Sequence, residues 1–379
     1  MAIYLDNAAT TQVDPDVLEA MLPLLQGQFG NPSAIHAMGR KARAAIERAR
    51  KTIAKSINVS PSEICFTSCG TEANNTALLG SVRDLDVTRI ISSPTEHHCI
   101  LHFLEHLEAN YGVEIVYLDV DDKGRVDVDQ LAELIADKTK KTLLSLMHAN
   151  NEIGTMIDFE RISKMCHEAE VLFHSDTVQT FAHFPFDLQE TPISFMVSSA
   201  HKFHGPKGIG FMYVNGDNQI SPLIYGGSQE RNMRAGTENI SGIIGLGKAV
   251  ELAYGALDEH RKHIEDLRQY CKEKLVEHIP GILFNGDLEG RSLYTVLSTS
   301  FPAEACYEML LFNLDIAGIC ASGGSACSSG VNQGSHVLKA IDADATRTTI
   351  RFSFSKNNTK EDIDHLVGAL QQIREEAVV

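Results

Sequence analysis

Short apolar runs and amphipathic stretches take turns along the first two thirds of this 379-residue chain. The runs at 64–68, 89–94, 114–120, 142–149, 171–176, 195–200 and 209–214 carry Ile, Leu, Val, Phe and Met, and none exceeds eight residues. Runs of that length and character predict strands buried on both faces. Helical periodicity fills most of the gaps, at 72–83, 100–110, 128–136 and 159–169 among others. Strands alternating with helices at this spacing predict βαβ units and an α/β fold with a largely parallel, covered sheet. From about Gly255 the pattern changes. Leu257, Ile264, Leu267, Cys271, Leu275 and Ile279 recur at steps of three, four or their multiples, as on one long amphipathic helix. Mixed strands and a terminal helix follow, so a domain boundary is expected near 254–258.

Composition narrows the class. The chain is 43% apolar and 22% charged, as in ordinary globular proteins, and its length is sufficient for two cores. Lys and Arg number 33 against 50 Asp and Glu, a net charge of −17 that disfavours binding to nucleic acid or an anionic membrane. One stretch runs the other way: Arg40, Lys41, Arg43, Arg48, Arg50, Lys51 and Lys55. Ala42, Ala45, Ile46, Ala49, Ile53 and Ile57 thread it at helical spacing, which reads as one helix with a solvated face. No Lys or Arg precedes Arg40 and no apolar run approaches a membrane span. The eight cysteines are scattered with no Cys-x-x-Cys pair, so reduced thiols in a soluble cytoplasmic protein are expected.

In open α/β sheets ligands bind beyond the carboxyl ends of the strands, and polar residues gather there repeatedly. Cys69-Gly70-Thr71-Glu72 follows the first predicted strand and opens a helix, offering free amides and a hydroxyl to an anion. Thr95-Glu96-His97-His98 follows the second, and Asn150-Asn151 follows the fourth. Asp176 ends the fifth with Gln179 three residues on, and Lys202 stands just past the sixth. An amine there, flanked by Ser199, His201 and the glycines of Gly205-Pro206-Lys207-Gly208, suits a Schiff base with pyridoxal phosphate (PLP). An aspartate to keep the pyridine protonated, phosphate donors and an imidazole complete what that cofactor needs. Each feature also has a plain reading as a cap, turn or loop residue. His98, His102 and His106 recur at four-residue steps, but spread over two turns they could give one metal ion only an adjacent pair. No metal site is expected.

Nine runs carry a resemblance across the chain. They are Tyr4-Leu5-Asp6-Asn7-Ala8-Ala9-Thr10-Thr11, Gly30-Asn31-Pro32-Ser33, Gly70-Thr71-Glu72-Ala73-Asn74-Asn75, Thr95-Glu96-His97 and Asn150-Asn151-Glu152-Ile153-Gly154, then Ser199-Ala200-His201-Lys202, Arg234-Ala235-Gly236-Thr237, Gly324-Ser325-Ala326-Cys327 and Ile350-Arg351-Phe352-Ser353. In this order they make the chain resemble the cysteine desulfurases of the NifS/IscS type. The resemblance implies a PLP enzyme of fold type I, aspartate-aminotransferase-like and active as a homodimer. A large domain over 13–255 would hold a mostly parallel seven-stranded sheet. A smaller α+β domain would combine 1–12 with 256–379 and carry a cysteine loop at about 321–334.

By the same resemblance Lys202 would be the Schiff-base lysine, Asp176 the pyridinium partner, Gln179 a partner of the ring's phenolic oxygen and His97 a ring-stacking proton-transfer group. Gly70, Thr71, Ser199 and His201 would hold the phosphate, with Thr237 supplied by the other subunit. Arg351, assisted by Asn151, would pair the substrate carboxylate. Cys327, within the small-residue run 321–330, would be the nucleophile that takes sulfur from L-cysteine, releases L-alanine and passes a persulfide to an acceptor. That acceptor would serve iron–sulfur cluster assembly, as an iron–sulfur scaffold does, or tRNA thiolation. Two positions depart from the pattern: Cys69 stands where glycine is common, and Gly323 where serine is. The alternatives are a selenocysteine lyase, a PLP-dependent aminotransferase, or a sulfur- or metal-handling scaffold on an inactive fold using the His98/His102/His106 face.

Overall fold

The computed structural model describes residues 2–323 and 334–376. Strand β1 (Ile3–Tyr4) and helices α1 (Pro15–Gln26) and α2 (Ala37–Ser56) precede the central sheet. Its strands are β2 (Ile64–Thr67), β3 (Arg89–Ser92), β4 (Glu114–Tyr117), β5 (Thr142–Ser145), β6 (Leu172–Asp176), β7 (Phe195–Ser199) and β8 (Gly210–Val214). They lie in the order β2-β8-β7-β6-β5-β3-β4, and only β8 runs against the rest. All seven apolar runs singled out in the sequence enter this sheet. The strands stop earlier than the runs: 89–94 ends as strand at Ser92, ahead of Pro94, and 142–149 ends at Ser145. Beyond those points the chain leaves the ladder to build the pocket edge.

Period-two alternation splits the strand side chains between two helical layers. Phe195, Val197, Met212 and Val214 meet α3 (Gly70–Asp84) and α4 (His98–Tyr111) through Ala73, Ala77, Leu78, Ile100 and Leu104. Met196, Phe211, Tyr213 and Phe173 face the other way, onto a core shared with Ile46, Ile53, Leu131, Ile162 and Leu246. Those residues come from α2, α5 (Val128–Ala136), α6 (Phe159–Glu168) and α7 (Ile240–Gly255). Helix α7 carries Gly245 and Gly247 where a Cβ would lie 2.7 Å from Met21 Sδ and 2.8 Å from Ala49 Cβ, so α1 and α2 can close directly onto its backbone.

At Ala256 the chain bends by 75° into α8 (Leu257–His278) and enters a second core. Strands β9 (Leu283–Asn285) and β10 (Val296–Phe301) are followed by α9 (Leu310–Ile316) and β11 (Ile319–Cys320). Helix α10 (His336–Ala340), β12 (Thr348–Ser353) and α11 (Lys360–Glu376) complete the described chain. The order β12-β10-β9 is antiparallel throughout. Ile264, Leu267, Leu275, Leu297, Phe301, Phe352 and Leu366 fill this core, and Leu5 joins them. The N-terminus is drawn in because β1 pairs in parallel with β11, Ile3 against Ile319 and Tyr4 against Cys320. Asn7 Nδ2 also donates to Ser353 O at 2.8 Å.

Candidate active site

The carboxyl edge of the central sheet opens on a cavity of about 270 Å³ between the two cores. Ten of the twelve sequence-assigned residues line it: Gly70, Thr71, His97, Asn151, Asp176, Gln179, Ser199, His201, Lys202 and Arg351. Thr237 does not; it lines a separate cleft with Arg234, Gly236 and Asn239. Cys327 lies outside the described residues, as does most of its loop.

Local structure explains the convergence. Strands β6 and β7 are parallel neighbours with Asp176 in register with Val197, so Asp176 and, two residues further along β7, Ser199 both end at the same edge of the sheet. Just past β7 the chain tightens into a 3-10 turn at Ala200–Lys202, which brings His201 and Lys202 to the rim. Lys202 Nζ donates to Ala8 O at 2.7 Å and Ala9 O at 2.9 Å, and Gln179 Nε2 to Ala8 O at 3.1 Å. The N-terminal segment thus forms the floor. His201 Nδ1 pairs with Thr10 Oγ1 at 3.2 Å, and burial with the Lys202 charge holds its imidazole down at about 4.

Helix α3 begins at Gly70 without a side-chain cap, leaving first-turn amides for a ligand. A Cβ at Gly70 would sit 2.8 Å from Val178 Cγ2, so only glycine leaves this approach open. Next to it, Ser199 Oγ is buried without a hydrogen-bond partner among the described residues. Such an orphan is costly unless something binds there.

Asp176 is buried, and its two oxygens are held apart by different donors: Asn74 Nδ2 at 2.7 Å on Oδ2 and the Val178 amide at 2.9 Å on Oδ1. His97 caps α4, accepting from the Cys99 amide at 3.2 Å through Nδ1. That acceptor role leaves the proton of the neutral ring on Nε2. Burial depresses its pKa; the nearby Asp176 charge works in the opposite direction. Burial and Asp176 together push the Cys99 thiol up to about 12, so it is a protonated wall residue.

Arg351 comes from β12 in the second core and is 1% exposed. Its Nη2 pairs with Asp6 Oδ1 at 2.9 Å and its Nη1 donates to the backbone oxygen of Asn151 at 2.9 Å, while Nε is buried without a partner among the described residues. Asn151 therefore orients the guanidinium through its main chain. Sequence reasoning missed Asn74, Asp6 and the Ala8 and Ala9 carbonyls. Asn74 lies one turn beyond Thr71 on the same helix face, the spacing signal that could have found it.

The histidine face of α4 packs as rings: His98 lies 5.1 Å from His102 and 4.4 Å from His336 between centroids. Among the described residues no group of three or more His, Cys, Asp or Glu could hold a metal ion.

An amine beside a carboxylate at adjacent strand ends, an anion cradle at a helix start and a buried guanidinium define an α/β enzyme that handles an anionic cofactor and an acid substrate. The model of the family "Aminotransferase class-V" matches residues 3–366. Within it stand a cysteine desulfurase IscS of Dictyoglomus turgidum, 45% identical over 98% of this chain and 94% of its own, and a putative cysteine desulfurase IscS of Bacillus subtilis, 43% identical over 95% of each. A solved NifS-like protein superposes with a TM-score of 0.91 at 37% identity, covering 99% of this chain and 100% of that one. A solved structure of SspA in complex with cysteine superposes with a TM-score of 0.80 at 34% identity, covering 94% and 100%. The chain belongs to the class-V aminotransferases and, within them, to the cysteine desulfurases.

Proposed function

We propose that this chain uses PLP to move sulfur from L-cysteine to its own Cys327, and from there to an acceptor protein. The meeting of Lys202, Asp176 and Arg351 in one cavity carries this reading. The residues present fit the cofactor: the orphaned Ser199 hydroxyl, the open Gly70 approach and the uncapped α3 amides suit its phosphate, and Asp176 suits its ring nitrogen. Thr71 and His201 complete the phosphate side, Gln179 the phenolic side, and Thr237 is proposed to reach the cavity of a second subunit in a homodimer. Bound PLP supplies an aldehyde that condenses with amines and a ring that draws electron density from an amino acid.

The protein's own groups do the rest. Arg351 takes the substrate carboxylate, using the donor capacity that Asp6 and Asn151 leave free and holding the amino acid in one orientation. The Lys202 amine carries the proton to and from the substrate Cα. His97, fixed with its proton on Nε2, exchanges a proton at the substrate sulfur. In the overall transfer the Cβ–S bond of L-cysteine breaks and an S–S bond forms at Cys327. The electron pair of the broken bond stays with carbon and is protonated, so L-alanine leaves and no external oxidant is consumed. The solved complex of SspA with cysteine supports this choice of substrate.

Mass spectrometry of Cys327 after incubation with PLP and L-cysteine tests the proposal. One added sulfur, matched by L-alanine, is the expected result, and Cys327→Ser should form neither while still binding PLP. A keto acid in place of alanine would mean transamination instead.

A further inference from the structure

We infer that Ser145, His174 and Asn74 form a positioning relay that delivers a directed hydrogen bond from the sheet interior onto Asp176. The inference rests on the PLP reading, because Asp176 matters as the partner of a pyridine nitrogen.

The chain of contacts is continuous. Ser145 Oγ lies 2.9 Å from His174 Nδ1, His174 Nε2 lies 3.0 Å from Asn74 Oδ1, and Asn74 Nδ2 lies 2.7 Å from Asp176 Oδ2. Strand register makes the first link, since Ser145 on β5 is directly paired with His174 on β6. Pleating prepares the last, because His174 and Asp176 are two residues apart and share a face of β6. Asn74 on α3 bridges them from above the sheet.

Every proton in the relay is determined. A carboxylate only accepts, so the Asn74 amide group must turn its NH₂ toward Asp176 and its oxygen toward His174. That oxygen needs a donor, so the His174 proton sits on Nε2. Burial pushes His174 down to about 3, which keeps the ring neutral with a lone pair on Nδ1. Only the Ser145 hydroxyl proton can meet that lone pair. All donors point the same way, toward Asp176, and such chains strengthen each member.

Ser145, His174 and Asn74 are each 0% exposed. Apolar side chains would fill the same space without desolvating polar groups. What the polar set adds is a fixed amide orientation and a strong donor on one oxygen of Asp176. His97, Cys99 and Glu96 also feel the Asp176 charge, and Cys99 Sγ accepts from Asn74 Nδ2 at 3.4 Å, but His174 is what meets the oxygen of that amide.

The test uses holoenzyme carrying PLP isotope-labelled at its ring nitrogen. NMR follows that nitrogen against pH, and PLP dissociation is measured without substrate. His174→Phe keeps the ring volume but not the donor. It should let the nitrogen lose its proton about one pH unit lower and weaken PLP binding about tenfold, the scale of a hydrogen bond to a charged group. His174→Gln, with an amide donor at nearly the same place, should recover most of both. Ser145→Ala removes the hydroxyl donor to His174 Nδ1 and should give a smaller shift in the same direction. A folded His174→Phe protein with the wild-type titration overturns the relay, as does failure of His174→Gln to recover. If His174→Phe does not fold, an unchanged titration in Ser145→Ala overturns it. A wild-type protein that binds no PLP, or binds it with an unprotonated ring nitrogen, defeats the PLP reading and the relay together.

Discussion

At the scale of single residues the site joins groups whose partners come from distant parts of the chain. Lys202 holds the Ala8 and Ala9 carbonyls, so its amine must exchange those contacts for a ligand. Lys202→Ala should leave the fold intact, since each lost hydrogen bond is worth about 1 kcal/mol net. Borohydride should then fix no cofactor to the protein, and alanine production from cysteine should fall below detection. Arg351 already spends one nitrogen on Asp6 and another on Asn151, and its Nε lacks a partner among the described residues. Arg351→Lys replaces the planar fork with a single ammonium that Asp6 and a substrate carboxylate would have to share. KM for cysteine should rise about 10- to 100-fold, with a smaller change in kcat, in steady-state assays.

At the scale of elements, legibility in the sequence followed the physics of burial. Six of the seven central strands are buried almost throughout and only the edge strand β4 is part-exposed, so their runs stood out, and residues just past their carboxyl ends could be picked as candidates. Helix α7 was invisible because Gly242, Gly245 and Gly247 depress helix propensity. Gly245 and Gly247 are there for close packing against Met21 and Ala49, and only the fold supplies those neighbours. Asp6 was hidden as a functional residue, and Asn74 carried only the signal of its spacing from Thr71. An aspartate near a chain end and an asparagine inside a helix acquire meaning only once β12 and β6 bring Arg351 and Asp176 to them. The start of α3 gives the prediction at this scale. Gly70→Ala places a methyl 2.8 Å from Val178 Cγ2. It should weaken PLP binding about tenfold, the cost of an overpacked contact, as read by absorbance titration. Adding Val178→Ala should restore much of the loss.

At the scale of the whole molecule, buried histidines set the acid limit of stability. His148 and His174 are pushed down to about 3 and His183 to about 4, each mainly by burial, from an ordinary value of 6.5. A histidine with a lowered folded pKa binds its proton more readily when unfolded, so protonation favours the unfolded chain. The contribution of these three histidines should be flat above about pH 7 and fall as pH drops from 6.5 toward 4. Each of these groups then contributes a slope of up to about 1.4 kcal/mol per pH unit. Asp14, whose carboxylate is held below its ordinary value by its bond to Lys356, adds a further loss at still lower pH. Urea unfolding of the apoprotein across this range checks the slope, and replacing His148 with Gln should reduce it by about one proton.

The pairing of β1 with β11, and of Asp6 with Arg351, also bears on the order of synthesis. A ribosome releases Lys202, Asp176 and His97 long before the residues that complete the cavity. Until Arg351 emerges, Asp6 has no guanidinium to bind, and β1 waits for Ile319 and Cys320. A nascent chain can therefore fold its central sheet without gaining a grip on an amino acid's carboxylate. The ability to extract a reactive sulfur atom arrives only once Arg351 has followed the central sheet off the ribosome.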